Sequence, residues 1–145
     1  MGTYGPETAE GDPAERNMKL VRLHYAAFAS GDRDGLVDGL DESVAINVHD
    51  EHGKAADQTI RGRAGARSFF EGIYAVIADS TVEIERLRAD GNRVLAQITL
   101  GGTLRESGIT GSIPAVHLFT LHDGLITEIR THRPDWRNYG AEPPG

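Results

Sequence analysis

The stretch Pro114–Trp136, PAVHLFTLHDGLITEIRTHRPDW, predicts a β-hairpin and decides which residues of this chain face inward. Two runs of alternating apolar and polar residues flank the segment His122-Asp123-Gly124. An Asp-Gly pair between two such runs is among the strongest short-range signals for a hairpin turn.

The length of the turn sets the register of this hairpin. A two-residue turn pairs Leu121 with Ile126 and would bring Glu128 and Arg130 onto the apolar face of the first strand. A three-residue turn, in which the glycine forms a bulge, pairs Leu121 with Leu125 instead. A shift of one residue turns a whole strand over, so the hydrophobic pattern can choose between the two. It favours the three-residue turn.

The three-residue register gives one apolar face with a single ionisable side chain, His117, in its middle. The predicted inward positions are Ala115, His117, Phe119, Leu121, Leu125, Thr127, Ile129 and Thr131. The opposite face would carry Val116, Leu118, Thr120, Ile126, Glu128, Arg130 and His132. We interpret the inward face as the lining of a core or a pocket.

Length and composition limit the class of protein. The 145 residues, 39% of them hydrophobic, are typical of one soluble globular domain. A net charge of -7 without a basic run argues against a nucleic-acid partner, and the lack of cysteine excludes disulfides and thiolate metal sites. No apolar run approaches the ~18 residues of a transmembrane helix. The polar N-terminus is unlike a secretory signal, so we expect a cytoplasmic protein without a membrane partner.

Periodicity along the chain predicts one α+β domain over residues 12–137, between a disordered leader at 1–11 and a mobile tail at 138–145. Asp12 caps a first helix that ends at Gly31. The other predicted elements are helices at about 32–41 and 63–78, strands at about 43–50, 59–61, 80–88 and 93–101, and a glycine-rich loop at 102–113 before the hairpin. A curved antiparallel sheet with three helices on its concave side would enclose a cavity, which is a common kind of ligand site.

Four stretches in this order resemble the NTF2-like superfamily, and within it the SnoaL-like group of polyketide cyclases, ketosteroid isomerases and limonene-epoxide hydrolases. They are HYAAFASGDRDGL at 24–36, LDESVAINV at 40–48, IRGRAGARSFFEGI at 60–73 and HLFTLHDGLITEI at 117–129. The resemblance implies a cone in which a curved sheet wraps around three helices, and it also implies a homodimer. Fold alone does not give function in such a group.

The resemblance also implies where functional side chains would lie. The tyrosine near the end of the first helix in the isomerases corresponds to His24, with Tyr25 beside it. The isomerase general base in the first strand corresponds to Asn47, and the acid that binds an enolate oxygen corresponds to His117. The acid that cyclases and epoxide hydrolases carry on the last strand corresponds to Thr131.

These positions therefore lack the expected carboxylates, and Asp135 is the nearest acid, four residues beyond Thr131. The Arg-x-Asp pattern of the epoxide hydrolases has no counterpart at 93–102. Because an asparagine in the first strand and a histidine on the penultimate strand occur in the cyclase subgroup, the chain resembles that subgroup better than the isomerases.

His117, His24 and Asp135 are the candidate catalytic residues. His117 would polarise a carbonyl or transfer a proton. The alternative interpretation is that His117 is a half-buried strand histidine with a backbone partner and no functional role. His24 lies on the apolar arc of the first helix and could face His117, in which case each ring would disfavour protonation of the other. The alternative interpretation is that His24 is a hydrogen-bonded histidine of the core. Asp135 would act from the cavity mouth.

A second group of side chains would bind the ligand: Tyr25, Phe28, Asn47, Phe69, Tyr74, Phe119 and Trp136. The aromatic residues of this group would be equally expected in a hydrophobic core that binds no ligand. Asn47 could hold an oxyanion. However, the alternation of Val44, Ile46 and Val48 places Asn47 on the other face, unless a bulge or a sheet buried on both sides intervenes.

The run His49-Asp50-Glu51-His52 suggests a metal site at first sight. On one short loop these side chains lack the i, i+4 spacing of helical ligands, so we interpret the run as a solvated loop. No metal and no cofactor are expected.

The preferred functional hypothesis is a cofactor-independent enzyme of polyketide or related natural-product biosynthesis. It would cyclise, isomerise or dehydrate a hydrophobic, carbonyl-rich small molecule. The first alternative is a non-catalytic protein that holds such an intermediate, as in polyketide or enediyne pathways, and the missing carboxylates favour it. The second alternative is a structural or dimerisation role through the outer sheet face.

Overall fold

The computed structural model describes residues 12–49 and 57–132. The predicted leader and tail, Asp135, Trp136 and most of the His49–His52 run lie outside these residues. The described chain forms three helices and six strands. The helices are α1 (Pro13–Ser30), α2 (Arg33–Asp38) and α3 (Gly62–Val76); the strands are β1 (Leu40–His49), β2 (Gln58–Arg61), β3 (Ile77–Asp90), β4 (Arg93–Leu104), β5 (Thr110–His122) and β6 (Leu125–His132).

Helix α1 begins and ends where its capping residues predict. The Asp12 carboxylate accepts a hydrogen bond from the Ala14 amide, and Gly31 ends the helix at φ 75°, a conformation that glycine adopts without strain. Val21, Tyr25 and Phe28 are buried along one stripe of the helix. Leu23, on the opposite side, is 56% exposed. No helix of the described residues is long and apolar enough to cross a membrane.

All six strands form one sheet in the order β2-β1-β6-β5-β4-β3. Strands β1 and β6 run parallel, whereas the other neighbours are antiparallel. The predicted α+β fold is confirmed, with a mixed sheet in place of the wholly antiparallel one expected. Five elements, β2, α3, β3, β4 and β5, lie between β1 and its neighbour β6 along the chain, so nothing in the local sequence shows this pairing.

Some predicted boundaries are wrong. Helix α2 ends at Asp38, and Leu40, which we expected in the helix, is the buried first residue of β1. The glycine-rich loop predicted at 102–113 is mostly strand, because β4 continues to Leu104 and β5 begins at Thr110. The backbone ladder extends through the glycines, which pair across the two strands as Gly102 and Gly111.

The turn of the β5–β6 hairpin has two residues, so the predicted three-residue turn is wrong. Asp123 and Gly124 both have positive φ, 51° and 81°, as a type I′ turn requires. His122 therefore pairs with Leu125, and Leu121 pairs with Ile126. Ile126, which we expected on the outer face, is buried.

A β-bulge at Thr127 then restores the predicted faces. Leu121 pairs with Ile126, but the next pair is Thr120 with Glu128, so Thr127 is an extra residue. Its hydroxyl donates a hydrogen bond to the Thr120 carbonyl oxygen, 3.1 Å away. From Ile129 onward the inner and outer positions are those of the sequence prediction.

The bulge assignment predicts how two single-residue deletions change the stability of the protein. Removing Thr127 joins Ile126 directly to Glu128 and leaves every other pair of the hairpin in place, so we expect a loss of only about 1 kcal/mol. Removing Ile126 moves Thr127 into a buried apolar position and should cost about 2–4 kcal/mol. Urea unfolding of the two deletion variants measures both. Equal losses, or the reverse order, would contradict the bulge assignment.

Candidate functional site

Five rings meet between the helices and the concave face of the sheet, and we call them the inner cluster: His24, Tyr25, Phe70, His117 and Phe119. The ring centroid of His24 lies 5.6 Å from that of Tyr25, 5.8 Å from Phe70 and 5.4 Å from Phe119. The Tyr25 ring stacks on His117 at 5.9 Å. Edge-to-face and offset contacts at such distances are favourable for aromatic rings.

Three elements bring these rings together. In α1, Tyr25 lies on the buried stripe with Val21 and Phe28, and His24 lies next to it. In β5, alternation turns His117 and Phe119 toward the core. In α3, Phe70 lies on the buried side of the helix. Helical and strand periodicity thus predicts each inward position separately.

A hydrogen bond joins the Tyr25 hydroxyl to Nδ1 of His117, with 2.7 Å between the two atoms. With a neutral imidazole, two arrangements of protons are available. If Tyr25 donates to Nδ1, the remaining proton of the pair sits on Nε2 of His117. If Nδ1 donates to Tyr25, the remaining proton sits on the tyrosine oxygen. In either case the pair keeps one further proton that it can donate to another acceptor.

Two members of the inner cluster, His24 and Tyr25, are held in their uncharged forms. Burial is the main cause that lowers the pKa of His24 to about 3, and the neighbouring imidazole of His117 lowers it further. Part of His24 is still exposed, whereas its ring packs against three aromatic rings. Burial also raises the pKa of the Tyr25 hydroxyl. Near pH 7, His24 is therefore neutral and Tyr25 stays protonated.

Among the residues that the structure describes, no buried side chain carries a formal charge. Asn17 is the only buried polar or charged residue there, and its side chain is directed to the Gly91 carbonyl oxygen at the β3–β4 turn. Three arginine side chains contact residues of the core, and the guanidinium of Arg33 lies 4.0 Å from the centroid of the buried Tyr74 ring. Arg63 donates to the Leu40 carbonyl oxygen, and Arg105 donates to that of Tyr74.

Asn47, predicted as a ligand-binding residue, lies on the outer face of the sheet. Its amide nitrogen donates to the Glu128 carboxylate at 2.6 Å, and its oxygen accepts from the Thr59 hydroxyl at 2.8 Å. Strict alternation in β1 buries Ile46 and Val48 and turns Asn47 away from the core. The bulge that an inward Asn47 would have needed is absent between Ala45 and His49.

The other predicted side chains fall into two groups. Phe28 and Tyr74 are buried and stack on each other at 5.2 Å, where the Tyr74 hydroxyl donates to the Phe28 carbonyl oxygen. Phe69 is half-buried beside Phe70. Thr131, at the position of the expected acid, is half-buried and pairs with Val48. No ring contact or hydrogen bond described for Phe28, Phe69, Tyr74 or Thr131 joins them to His24 or Tyr25.

His49 is the one described residue of the His49–His52 run, which we interpreted as a solvated loop, and its side chain is exposed. His49 pairs with the exposed Asp57 at 2.9 Å. Among the described residues no group of three or more candidate metal ligands occurs. A groove of about 610 Å³ opens nearby on the outer face, where Asn47, Thr59, Val116 and Arg130 are part of its lining. It is separated from the inner cluster by the sheet.

The sequence did not reveal the pairing of Tyr25 with His117. We predicted Tyr25 as a wall residue and His24 as the partner of His117. The signal that was present is the position of Tyr25 on the buried stripe of α1, opposite the only ionisable residue of the inner β5 face. Their separation of 92 residues along the chain leaves no local pattern that joins them.

Comparison with known proteins identifies the family. A family model for the SnoaL-like domain matches residues 21–129. A comparison with curated protein sequences finds no match.

Solved structures agree with this fold. A protein from Jannaschia sp. CCS1, assigned as a SnoaL-like polyketide cyclase, superposes with a TM-score of 0.75 at 22% identity, over 99% of this chain and 100% of that chain. A protein from Xanthomonas campestris, assigned as a polyketide cyclase, gives 0.69 at 24% identity, over 84% and 93% of the two chains. TerC, co-crystallised with polyporic acid, gives 0.68 at 24% identity, over 80% and 89%. The chain belongs to the SnoaL-like domain family.

Proposed function

We propose that this protein is a cofactor-independent enzyme that activates a carbonyl group of a hydrophobic small molecule, for cyclisation, isomerisation or dehydration in polyketide or related natural-product biosynthesis. The observation that carries the proposal is the 2.7 Å hydrogen bond between Tyr25 and His117 in an apolar environment. A carbonyl oxygen of the substrate would accept the further proton of this pair, in competition with any partner that the free protein supplies.

Such a hydrogen bond acts most strongly on the charge that develops during reaction. When a C–H next to the carbonyl gives its proton to the neutral imidazole of His24, negative charge moves onto the carbonyl oxygen. A donor fixed in a site of low polarity stabilises that enolate more than it stabilises the neutral ketone. Removal of one comparable donor typically lowers the rate about 10²–10³-fold.

The electrostatics of His24 favour one type of substrate. General bases work best when their pKa lies near the working pH, and the pKa of His24 at about 3 makes it a weak proton acceptor. The site therefore suits carbon acids that need carbonyl polarisation more than a strong base. Carbon atoms between two carbonyl groups, which are typical of polyketide chains, have this property.

The test is solvent deuterium exchange into a hydrophobic 2-substituted 1,3-diketone, followed by NMR. Wild-type protein should accelerate exchange, and Tyr25→Phe should reduce the acceleration about 100-fold. Tyr74→Phe is the matched control, because Tyr74 is also a buried tyrosine with a hydrogen-bonded hydroxyl but lies outside the inner cluster. It should stay within a few-fold of wild type. Unchanged exchange with Tyr25→Phe would refute the proposed role of the pair.

A second candidate function is binding without catalysis, and the same weak basicity of His24 supports it. A protein that holds a hydrophobic intermediate needs hydrogen bonds to the ligand and no proton acceptor. Saturable binding of the diketone, with deuterium exchange at the uncatalysed rate, would favour this function over the first. The complex of TerC with polyporic acid supports polyporic acid as a further probe for such binding.

A further inference from the structure

We infer that Arg33 is a positioning residue for the inner cluster, because its side chain fixes helix α3 and, through Phe70 of that helix, the ring of His24. The inference rests on the proposed function, in which His24 accepts a proton from the substrate. Arg33 itself is partly exposed and makes its contacts outside the inner cluster. It therefore acts on the reaction through the rings that it holds in place.

The planar guanidinium of Arg33 makes four contacts. Nη1 donates a hydrogen bond to the Gly31 carbonyl oxygen at 3.0 Å, and Nε and Nη2 donate to the two carboxylate oxygens of Glu71 at 3.1 Å and 3.4 Å. The guanidinium carbon also lies 4.0 Å from the centroid of the Tyr74 ring. Arg33 begins α2, and Gly31 directly follows α1. Glu71 and Tyr74 lie in α3. One side chain therefore joins all three helices, which a planar fork of donors allows and a single ammonium group does not.

The Tyr74 ring is in turn held against the end of α1. It stacks on the Phe28 ring, with 5.2 Å between the centroids, and its hydroxyl donates to the Phe28 carbonyl oxygen at 2.7 Å. Carbonyl groups in the last turn of a helix need partners from outside the helix, and Tyr74 is such a partner. The cation of Arg33 is attracted to the same ring. These contacts fix the position of α3 relative to the end of α1.

Phe70 connects Tyr74 to the inner cluster. It lies four residues before Tyr74, on the same buried side of α3. Its ring centroid is 6.4 Å from that of Phe28 and 5.8 Å from that of His24. Because the side chains of a packed core have little free space, a shift of α3 at Tyr74 moves the Phe70 ring and with it His24. A misplacement of about 1 Å in a reacting group can lower the rate about 10²-fold.

A second ion pair between the same two helices provides the control. Arg67 of α3 pairs with Asp34 of α2 at 2.6 Å, and both side chains are exposed. Ion pairs at the surface contribute little to stability, so the loss of either pair should by itself have little effect. Among the described residues, Arg33 is the arginine whose guanidinium lies over an aromatic ring. The two arginines join the same helices and differ in the contacts that Arg33 makes with Tyr74 and Gly31.

The experiment compares Arg33→Met with Arg67→Met, since each variant loses one ion pair and keeps an unbranched side chain. Deuterium exchange is measured with the hydrophobic 1,3-diketone of the proposed function. Arg33→Met should lower kcat at least about tenfold, because His24 is misplaced. KM should stay within a few-fold of wild type, because the Tyr25–His117 pair that binds the carbonyl is kept. Arg67→Met should keep both constants near those of wild type. Equal kcat values for the two variants would overturn the inference.

A second measurement does not depend on turnover. The Cε1 proton of His24 gives an NMR signal in the free protein, and the loss of that signal in His24→Phe assigns it. Because the nearby Phe70 ring contributes to its chemical shift, Arg33→Met should move the signal and Arg67→Met should leave it in place. If wild-type protein does not accelerate exchange, the proposed function fails, and this signal still decides the inference. An unmoved signal in Arg33→Met would show that Arg33 does not position His24.

A milder pair of variants keeps the comparison open if Arg33→Met does not fold, as judged by circular dichroism. Lysine keeps the charge and loses the planar fork, so Arg33→Lys should lower kcat and move the His24 signal, and Arg67→Lys should do neither. The same values in both lysine variants would contradict the inference. Tyr74→Phe keeps the ring that contacts Arg33 and Phe28, so it remains the control for the role of Tyr25.

Discussion

Replacing Phe119 with alanine should destabilise the protein by about 3–5 kcal/mol, the usual cost of removing a fully buried phenylalanine. Phe119 is 0% exposed, and its ring contacts three other rings of the inner cluster edge-to-face: His24 at 5.4 Å, Tyr25 at 5.6 Å and His117 at 6.2 Å. The variant loses the burial of the ring, leaves a cavity, and removes the support of both histidines. Urea unfolding measures the loss.

Val116→Ala is the control for this prediction. Val116 lies on the same strand but on the outer face, so its truncation should change stability by no more than about 0.5 kcal/mol. A Phe119→Ala variant as stable as Val116→Ala would show that β5 does not present Phe119 to the core. Phe119→Leu, which keeps most of the buried volume, should fall between the two.

Acidification should destabilise the wild-type protein through His24. In the folded protein the pKa of His24 lies at about 3, below the ordinary value of 6.5. Between these values the unfolded chain binds a proton that the folded protein does not, so stability falls as the pH falls from 6.5 toward 3. Above pH 6.5 both states are neutral, and His24 contributes no pH dependence. Between pH 7 and pH 4 the loss should reach about 3 kcal/mol.

His24→Phe isolates this contribution, because it keeps an aromatic ring at the position and removes the titration. The free energy of unfolding of wild type minus that of the variant should fall by about 3 kcal/mol between pH 7 and pH 4. Parallel pH profiles of the two proteins would contradict a buried, neutral His24. The remaining acid dependence, which both proteins share, comes from the other titrating groups.

The sequence predicted the elements whose determinants are local. Asp12 and Gly31 mark the ends of α1, because capping depends on hydrogen bonds within one turn. The alternation of β5 predicted that His117 and Phe119 face inward, because successive side chains of a strand point to opposite faces. The same alternation in β1 predicted an outward Asn47, and the family resemblance was the misleading guide there.

The hairpin turn shows what the local sequence pattern could not predict, which is the length of the turn. The hydrophobic pattern predicted that Ile129 faces inward and Glu128 outward. A three-residue turn was the simplest hairpin that gives these faces. The protein uses a two-residue turn and a bulge at Thr127, which gives the same faces beyond the bulge. Both solutions add one residue to the hairpin, in the turn in the prediction and at Thr127 in the protein. Packing decides between them, because it buries Ile126 instead of Leu125.

The sequence by itself thus determined the α+β class, the caps of α1, and the inward direction of Tyr25, His117 and Phe119, because periodicity and capping act over a few residues. Only the tertiary structure decided that β1 pairs with β6 and that the Tyr25 hydroxyl meets Nδ1 of His117. It also decided that His24 is kept neutral, since the pKa of a side chain depends on the burial and the neighbours that packing supplies. These contacts join residues far apart in the chain, and no local pattern encodes them.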